Sequence, residues 1–220
     1  MIKFHPNEEL LVQYVQGNLD SALAVVVGTH IDMCQHCKAH ARDIETHLSA
    51  KELGASTDFS ELTMQAMLED ILNSAAPAIS APQQILDKVT VEGKQFRLPP
   101  ALKRVSHRLG DWSKVPGSVW RAPLKVDDHS AVNLIYMGAG ASVPEHTHRQ
   151  HEATLVINGT FNDEHDRYHD GDFVFLGADH RHSPQTAEED CLTLAWLDAP
   201  LQFTSGMARL LNPFSSLFFK

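Results

Sequence analysis

Apolar residues recur at intervals of three or four through the first third of the chain, the spacing of amphipathic helices. The residues in this pattern are Leu10, Leu11, Tyr14, Val15, Leu23, Val26, Val27, Ile31, Leu62, Met67, Leu68, Ile71 and Leu72. Residues that commonly end or cap helices interrupt the pattern at Gly17, Asn18 and Asp20, and again at Ser60. The pattern predicts a bundle of about four helices between residues 7 and 74.

Beyond Trp112 the pattern changes to short apolar runs bounded by Gly, Pro, Asn and Asp, which is typical of β-strands. The runs are VNLIYM, ATLVI, DFVFL and CLTLAWL. Asn158 and Gly159 separate ATLVI from TFNDE and predict a two-residue hairpin turn. We therefore expect the second half to be an all-β sandwich or barrel.

A proline-rich segment lies between the two patterns. Residues 75–100 contain four of the eleven prolines, and proline is frequent in linkers. We interpret the chain as a helical domain at residues 1–80, a linker at residues 81–105, a β domain at residues 106–200 and a tail at residues 201–220. The tail ends in LLNPFSSLFFK, which we expect to pack on a domain surface, with an interaction segment as the alternative.

The charge of the chain bears on its partners. Its 220 residues include 28 Asp or Glu and 18 Lys or Arg, for a formal net charge of -10 at pH 7. Direct nucleic-acid binding is disfavoured, because neutralising phosphates needs a basic face. An acidic surface complements a basic protein partner, although it can also serve solubility alone.

The apolar runs bear on membrane contact. The longest of them, ALAVVVG, is far too short to span a bilayer. The N-terminus, MIKFHPNEELL, lacks the pattern of a secretory signal. We expect a cytoplasmic protein that makes no membrane contact.

Two of the three cysteines lie in the stretch GTHIDMCQHCKAH, residues 28–40. On one continuous helix His30, Cys34 and Cys37 lie at i, i+4 and i+7 and share a face. Thiolates and imidazoles are the ligands that structural zinc prefers, and zinc takes four of them. The spacing predicts a zinc site, with a redox pair or two inert core thiols as the alternatives.

The fourth zinc ligand must come from another histidine. We choose His5, which Pro6 follows, because a ligand distant in sequence would hold the N-terminal segment onto the bundle. His40 is the nearest rival, one helical turn beyond Cys37, whereas His36 projects to a different face.

This first segment resembles a zinc-binding anti-sigma domain. The HxxxCxxC signature of that family lies at His30, Cys34 and Cys37, and His5 with Pro6 matches its N-terminal His-Pro. The resemblance implies a helical domain that wraps a group IV (extracytoplasmic-function) sigma factor and keeps it from RNA polymerase. It also implies bound zinc with His5 as the fourth ligand.

The β half contains a second set of metal-binding residue types. The stretch GASVPEHTHRQHEATLVING begins at Gly140 and places His146, His148 and Glu152 in an HxHxxxE arrangement. On a strand the two histidines share a face, and Glu152 can return to it after a short irregular segment. A fourth ligand is expected from GDFVFLGADHRHSP, where we choose His182.

Together these stretches resemble the two cupin motifs, over residues 110–198. The second motif departs from the family pattern, because Gly177 stands where proline is common and Asp179 where glycine is common. His180 is therefore an alternative to His182. The resemblance implies a cupin-type β domain that binds zinc or another divalent transition metal. Cys191 heads a later apolar run, and we expect a buried thiol there, with oxidant sensing as the alternative.

The order of the two parts resembles the ChrR-type anti-sigma factors over nearly the full chain. The resemblance implies a transcriptional regulator and not an enzyme. It would hold an alternative sigma factor inactive until an oxidative signal, typically singlet oxygen or an organic peroxide, releases it. We expect the helical domain to bind the sigma factor and the cupin to receive the oxidant or small-molecule signal. The rival function is a metal-dependent cupin enzyme, a dioxygenase or isomerase with a helical accessory domain, and a metal-storage or structural protein is the third reading.

Overall fold

The computed structural model describes residues 1–54, 60–76, 84–147 and 150–204. Within these ranges helices come first and strands follow, in the predicted order. The helices are α1 (Glu8–Gln16), α2 (Ser21–Met33), α3 (Gln35–Leu53), α4 (Glu61–Asn73) and α5 (Pro100–Val105), the last continued by a 3₁₀ turn (Ser106–Arg108). The first four match the expected number of helices, about four, between residues 7 and 74. The final segment LLNPFSSLFFK lies outside the described residues.

Capping residues begin and end the first helices. Asn7 accepts a hydrogen bond from the backbone N–H of Leu10 at 2.9 Å, and Asp20 accepts one from Ala22 at 3.0 Å. These bonds satisfy N–H groups of the first turn that have no partner within the helix. Gly17 ends α1 with φ 71°, a conformation that glycine adopts without steric cost. The predicted helix breaks at Gly17 and Asp20 are confirmed.

A break at Cys34 separates α2 from α3, which corrects the prediction that His30, Cys34 and Cys37 share one face of a continuous helix. Cys34 has an extended backbone with φ -110° and ψ 109°. Its N–H donates to the carbonyl oxygen of His30 at 2.8 Å, and its Sγ accepts from the N–H of Cys37 at 3.5 Å. The break, and not the helical period, brings these side chains together.

Thirteen strands lie in the described residues. They are β1 (Lys88–Val91), β2 (Lys94–Arg97), β3 (Ser113–Val115), β4 (Val119–Leu124), β5 (Ala131–Met137), β6 (His146–Thr147), β7 (Glu152–Gly159), β8 (Phe161–Asn162), β9 (Arg167–Tyr168), β10 (Phe173–Leu176), β11 (Arg181–His182), β12 (Cys191–Leu197) and β13 (Gln202–Phe203). Six of them form one antiparallel sheet in the order β10-β7-β12-β5-β4-β3. Smaller sheets are β11-β6-β13, β8-β9 and the β1-β2 hairpin.

The centre of the six-stranded sheet is buried on both faces, as strand β12 shows. All seven residues of this strand are buried, and successive side chains point to opposite faces. On one face Leu192 and Leu194 join a core that includes Val26 and Val27 of α2. On the other face Thr193 and Ala195 line a cavity inside the β part. The helices therefore cover the outer face of the six-stranded sheet.

The predicted linker at residues 81–105 is structured over the part that the structure describes. Val89 and Phe96 of the β1-β2 hairpin are buried in the same core as α2. Helix α5 packs against α2, and Asp32 accepts a hydrogen bond from the N–H of Ala101 at 2.6 Å. This segment joins the helices to the sheet instead of separating them, while the domain boundaries stay a prediction.

The predicted hairpin turn at Asn158 and Gly159 is wrong. Strand β7 continues through Gly159, which pairs with Cys191 of β12, and β8 pairs with β9. Gly159 has φ 88°, and a Cβ at this position would lie 2.0 Å from the carbonyl oxygen of Asp190. The glycine marks a close approach of two backbones, where a side chain does not fit.

Among the described residues, no single helix combines the length and the apolar composition needed to cross a membrane. Helices α1 and α2 meet that test only as a pair, with a bend of 112° between them.

Candidate metal centres

The four residues expected to bind zinc meet at one point. The ligand atoms of His5, His30, Cys34 and Cys37 all lie within 4.8 Å of one another. His30 Nε2 is 3.3 Å from Cys37 Sγ and 3.4 Å from His5 Nδ1. His5 Nδ1 is 3.4 Å from Cys37 Sγ and 3.5 Å from Cys34 Sγ. Ligands at about 2.0–2.3 Å from a tetrahedral zinc lie roughly 3.3–3.8 Å apart, so this group has the dimensions of a zinc site.

His30 is oriented by the β part of the molecule. It is fully buried, and its Nδ1 donates to the carbonyl oxygen of Gly171 at 2.8 Å. Burial lowers the pKa of His30 to about 4, so the ring is neutral near pH 7. The bond to Gly171 then leaves the lone pair on Nε2, the atom that faces the cysteines.

The two cysteines have the environment of ligands and not of a redox pair. Both are buried, and burial together with the neighbouring Cys34 raises the pKa of Cys37 to about 12. A thiol with so high a pKa is a poor nucleophile near neutral pH. A bound divalent cation would remove the proton from the Cys37 thiol. This environment therefore suits a metal ligand better than a redox pair.

The rival histidines do not join this group. His36 is exposed, and its ring meets the edge of the His5 ring with 5.4 Å between centroids. Neither His36 nor His40 belongs to the four residues that converge within the described part of the chain. His5 is the histidine that the fold brings to the cysteines.

His146, Glu152 and His182 form a second group in the β part. All three are buried, and their ligand atoms lie within 4.8 Å of one another. His182 Nε2 is 3.0 Å from His146 Nε2 and 3.4 Å from Glu152 Oε2. The pairing of β6 with β11 sets His146 opposite His182. The third histidine expected here, His148, lies outside the described residues.

The structure distinguishes between the two candidates in the second cupin motif. His180 is exposed, and its ring lies 6.2 Å from that of His165. His182 is the one that points into the group with His146 and Glu152. The departures from the family pattern at Gly177 and Asp179 therefore do not put His180 in the place of His182.

Carboxylates on both sides hold His182 in its charged form. Asp163 Oδ2 accepts a hydrogen bond from His182 Nδ1 at 3.3 Å. Burial acts to lower the pKa of His182, but the bonds to Asp163 and Glu152 raise it to about 9. Burial also acts to raise the pKa of Asp163, yet the bonds from His182 and from the His165 N–H hold it below its usual value. A metal that takes the lone pair of His182 Nε2 must displace a proton.

The second group opens into a small apolar cavity. Its volume is about 80 Å³, and its walls include Ile135, Val143 and Leu197. An adjoining cavity of about 110 Å³ shares these three residues and extends to Arg121. The space beside the three ligands therefore admits a small, mostly apolar molecule.

Cys191 lies apart from both groups. It is fully buried on β12, as expected from the sequence. Burial raises its pKa, which disfavours the thiolate that an oxidant would attack.

Three residues that hold a candidate ligand, or the backbone leading to one, are not among the sequence predictions. Asp163, Gly171 and Asp172 belong to the stretch NDEHDRYHDGD. Its density of acidic residues is the one signal that could have drawn attention to it. An acidic turn is usually solvated, however, and only the tertiary contacts distinguish this one.

Comparisons with known proteins agree on both halves of the chain. A family model described as the ChrR cupin-like domain matches residues 104–200. The anti-sigma-E factor ChrR of Cereibacter sphaeroides is 34% identical over 218 residues, which cover 97% of this chain and 98% of that protein. A chain in the crystal structure of Rhodobacter sphaeroides SigE in complex with the anti-sigma ChrR matches with a TM-score of 0.68 and 29% identity, over 90% of this chain and 100% of that chain. An RmlC-like cupin from Ralstonia eutropha JMP134 matches with 23% identity and a TM-score of 0.40, over 43% of this chain and 67% of its own.

Proposed function

This chain belongs to the family of the anti-sigma-E factor ChrR, and we propose from that premise that it binds a group IV sigma factor and keeps it from RNA polymerase. The 34% identity to ChrR over 97% of the chain confirms the family relationship predicted from the sequence. The crystal structure of SigE with the anti-sigma ChrR supports a sigma factor as the partner. Since sigma factors act on RNA polymerase, we propose the cytoplasm as the compartment. The family also argues against a cupin enzyme as the function.

The observation that carries this proposal is the exposed apolar face of α4. Every residue of this helix is exposed. Met64, Met67, Leu68 and Ile71 follow at i, i+3, i+4 and i+7 and form one face, with exposures of 53–67%. A helix of thirteen residues is marginal in water without packing. An apolar face of this kind indicates a protein interaction site, and methionines adapt readily to a partner surface.

We propose that this face packs against the sigma factor. Acidic side chains of the same helix, Glu61, Glu69 and Asp70, would meet basic residues of a protein that binds DNA and polymerase. Burying one leucine in such a contact contributes about 1.5–3 kcal/mol. One charge placed on the apolar face should therefore be enough to weaken the complex.

The test measures affinity for the candidate group IV sigma factor by calorimetry, together with transcription from a promoter that this sigma factor recognises. We expect Leu68→Glu to weaken binding at least about tenfold and to restore transcription. Ala66→Glu adds the same charge to the opposite face of the helix and serves as the matched control, with affinity within about twofold of the parent chain. Absence of any complex with the parent chain would refute the anti-sigma function. Equal effects of the two variants on affinity would show that the apolar face of α4 is not part of the interface.

We further propose that the first group holds a structural zinc and the second a zinc or another divalent transition metal. The spacing, burial and chemistry of His5, His30, Cys34 and Cys37 support the first assignment. A zinc there would hold the N-terminal segment against α2 and α3. In the cupin, His146, Glu152 and His182, with His148 added from the sequence motif, would serve as ligands. The cavity beside them is our candidate for the place where an oxidative signal, such as singlet oxygen or an organic peroxide, acts.

A further inference from the structure

One ten-residue segment, Asp163 to Asp172, contacts a histidine of each metal group. At its start, Asp163 Oδ2 accepts the hydrogen bond from Nδ1 of His182 at 3.3 Å. Near its end, the carbonyl oxygen of Gly171 accepts the hydrogen bond from Nδ1 of His30 at 2.8 Å. In both histidines the other ring nitrogen, Nε2, faces the group. Bonds of this kind orient a ligand ring and tune its affinity for metal.

The end of the segment also holds the residues that precede His5. Asp172 is 1% exposed. Its Oδ1 accepts hydrogen bonds from the backbone N–H groups of Lys3 at 2.7 Å and Phe4 at 3.0 Å. The Phe4 carbonyl oxygen in turn accepts from the N–H of Phe173 at 3.0 Å. The N-terminal ligand therefore reaches its site from a backbone anchored to the cupin.

Gly171 shows how closely the segment and the N-terminus approach. It has φ 85°, and a Cβ at this position would lie 2.5 Å from Cδ1 of Ile2. A side chain there would be strained in its backbone and would collide with Ile2. Glycine at this point therefore avoids strain in the backbone whose carbonyl oxygen accepts the hydrogen bond from His30.

Side-chain packing links the two ends of the segment. Tyr168 donates its hydroxyl to Asp163 Oδ1 at 3.4 Å. Its ring packs on that of Phe4, with 5.1 Å between centroids. A continuous set of contacts runs from His182 through Asp163, Tyr168 and Phe4 to the backbone of His5.

We propose that residues 163–172 couple the two metal centres, with Asp163 as the positioning residue at the cupin end and Gly171 and Asp172 at the zinc end. Metal bound at Nε2 of His182 would fix the orientation of the ring that Asp163 holds through Nδ1. The segment passes that constraint to His30 and to the backbone of residues 3–4, which precedes His5. Metal occupancy in the cupin then alters the affinity of the helical site for zinc, and linkage requires the reverse effect to be equal. This proposal rests on the two metal assignments and not on sigma-factor binding.

The test uses the full chain with zinc in the helical site and adds saturating Mn²⁺, which prefers nitrogen and oxygen ligands to thiolates. Zinc affinity is measured by equilibrium competition with a zinc-selective chromophoric chelator, with and without Mn²⁺. Hydrogen exchange of the Lys3 and Phe4 amides provides a readout at the segment itself. Asp163→Asn is the test variant. Asp198→Asn is the matched control, because Asp198 bonds His151, a histidine of the β part outside both groups.

We expect Mn²⁺ to change zinc affinity at least about fivefold in the parent chain and to change the exchange of both amides. Asp163→Asn should reduce this factor below about twofold with both metals still bound, whereas Asp198→Asn should retain it. Tyr168→Phe keeps the ring packing and removes only the hydrogen bond to Asp163. It should also reduce the effect of Mn²⁺ on zinc affinity. This second variant keeps the proposal testable if Asp163→Asn folds poorly.

Zinc affinity that is independent of Mn²⁺ in the parent chain would overturn the coupling. So would coupling of full size in both Asp163→Asn and Tyr168→Phe. A chain that binds metal at only one centre would refute the metal assignments and this proposal together. Failure to bind a sigma factor would leave the result unaffected, so the two proposals fail separately.

Discussion

His30 and His182 are the same residue type in the same role, yet their surroundings leave His30 neutral and His182 positively charged at pH 7. Each is buried and each is oriented through Nδ1. Burial without a neighbouring carboxylate bond lowers the pKa of His30 to about 4, whereas Asp163 and Glu152 outweigh burial at His182 and raise its pKa to about 9. The first site therefore presents a neutral ligand at pH 7, and the second exchanges a proton for its metal.

Gly159 is a residue at which backbone geometry alone decides stability. Gly159→Ala places a Cβ 2.0 Å from the Asp190 carbonyl oxygen at a φ of 88°, so we expect the free energy of unfolding to fall by more than about 2 kcal/mol. Gly177→Ala is the control, because its Cβ would meet nothing within 4 Å, and should change stability by less than about 0.5 kcal/mol. Urea unfolding measures both, and similar losses in the two variants would contradict the argument.

At the scale of the elements, the break between α2 and α3 positions the two cysteines of the first metal group. It sets Cys34 at the end of one helix and Cys37 in the first turn of the next. Residues 28–40 were interpreted as one helix because the i, i+4, i+7 spacing fits a helical face. The spacing fits equally well when Cys34 acts as an N-cap, since its Sγ accepts from the Cys37 N–H.

The break makes the zinc assignment testable with little damage to the fold. Serine is a good N-cap and nearly the shape of cysteine, so Cys34→Ser with Cys37→Ser should keep both helices and lose one equivalent of zinc from the full chain. Zinc is counted by elemental analysis after gel filtration. Cys191→Ala removes the buried thiol outside the group and should keep that zinc. Full retention of zinc by the double serine variant would sink the assignment.

For the whole molecule, the helices and the cupin sheet share one core. The cluster that contains Val26 and Val27 of α2 also contains Leu192 and Leu194 of β12 and Phe96 of the hairpin between them. The segment predicted as a linker, residues 81–105, therefore does not separate the helices from the sheet. A fragment of residues 1–80 would expose the face of α2 that the sheet now covers.

A shared core predicts one cooperative unfolding transition. Val27→Ala removes two methyl groups from a fully buried site and should lower the free energy of unfolding by about 2 kcal/mol. Circular dichroism reports mainly the helices, and the three tryptophans all lie in the β part, so both signals should shift together. Leu62→Ala on exposed α4 should change stability by less than about 0.5 kcal/mol. A fluorescence transition unmoved by Val27→Ala would show that the two parts unfold separately.

The sequence by itself determined the order of elements and the family, and its candidates included all seven ligand residues that the described part of the chain brings together. These features are local, because helical periodicity, strand runs and motif spacing depend on residues near one another in the chain. The eighth candidate, His148, stays a prediction from its motif. His5 was chosen against His40 only by argument, and its convergence with the cysteines depends on a segment anchored 169 residues away at Asp172.

Only the tertiary structure decided which helix faces and which acidic side chains are buried. The apolar periodicity of α2 and α4 is similar, yet the sheet buries the first and leaves the second exposed. The acidic stretch around Asp163 looks solvated in sequence, yet two of its carboxylates are almost fully buried beside the metal groups. Packing between segments far apart in the chain settles both cases, since periodicity tells which residues share a face and not which surface that face will meet.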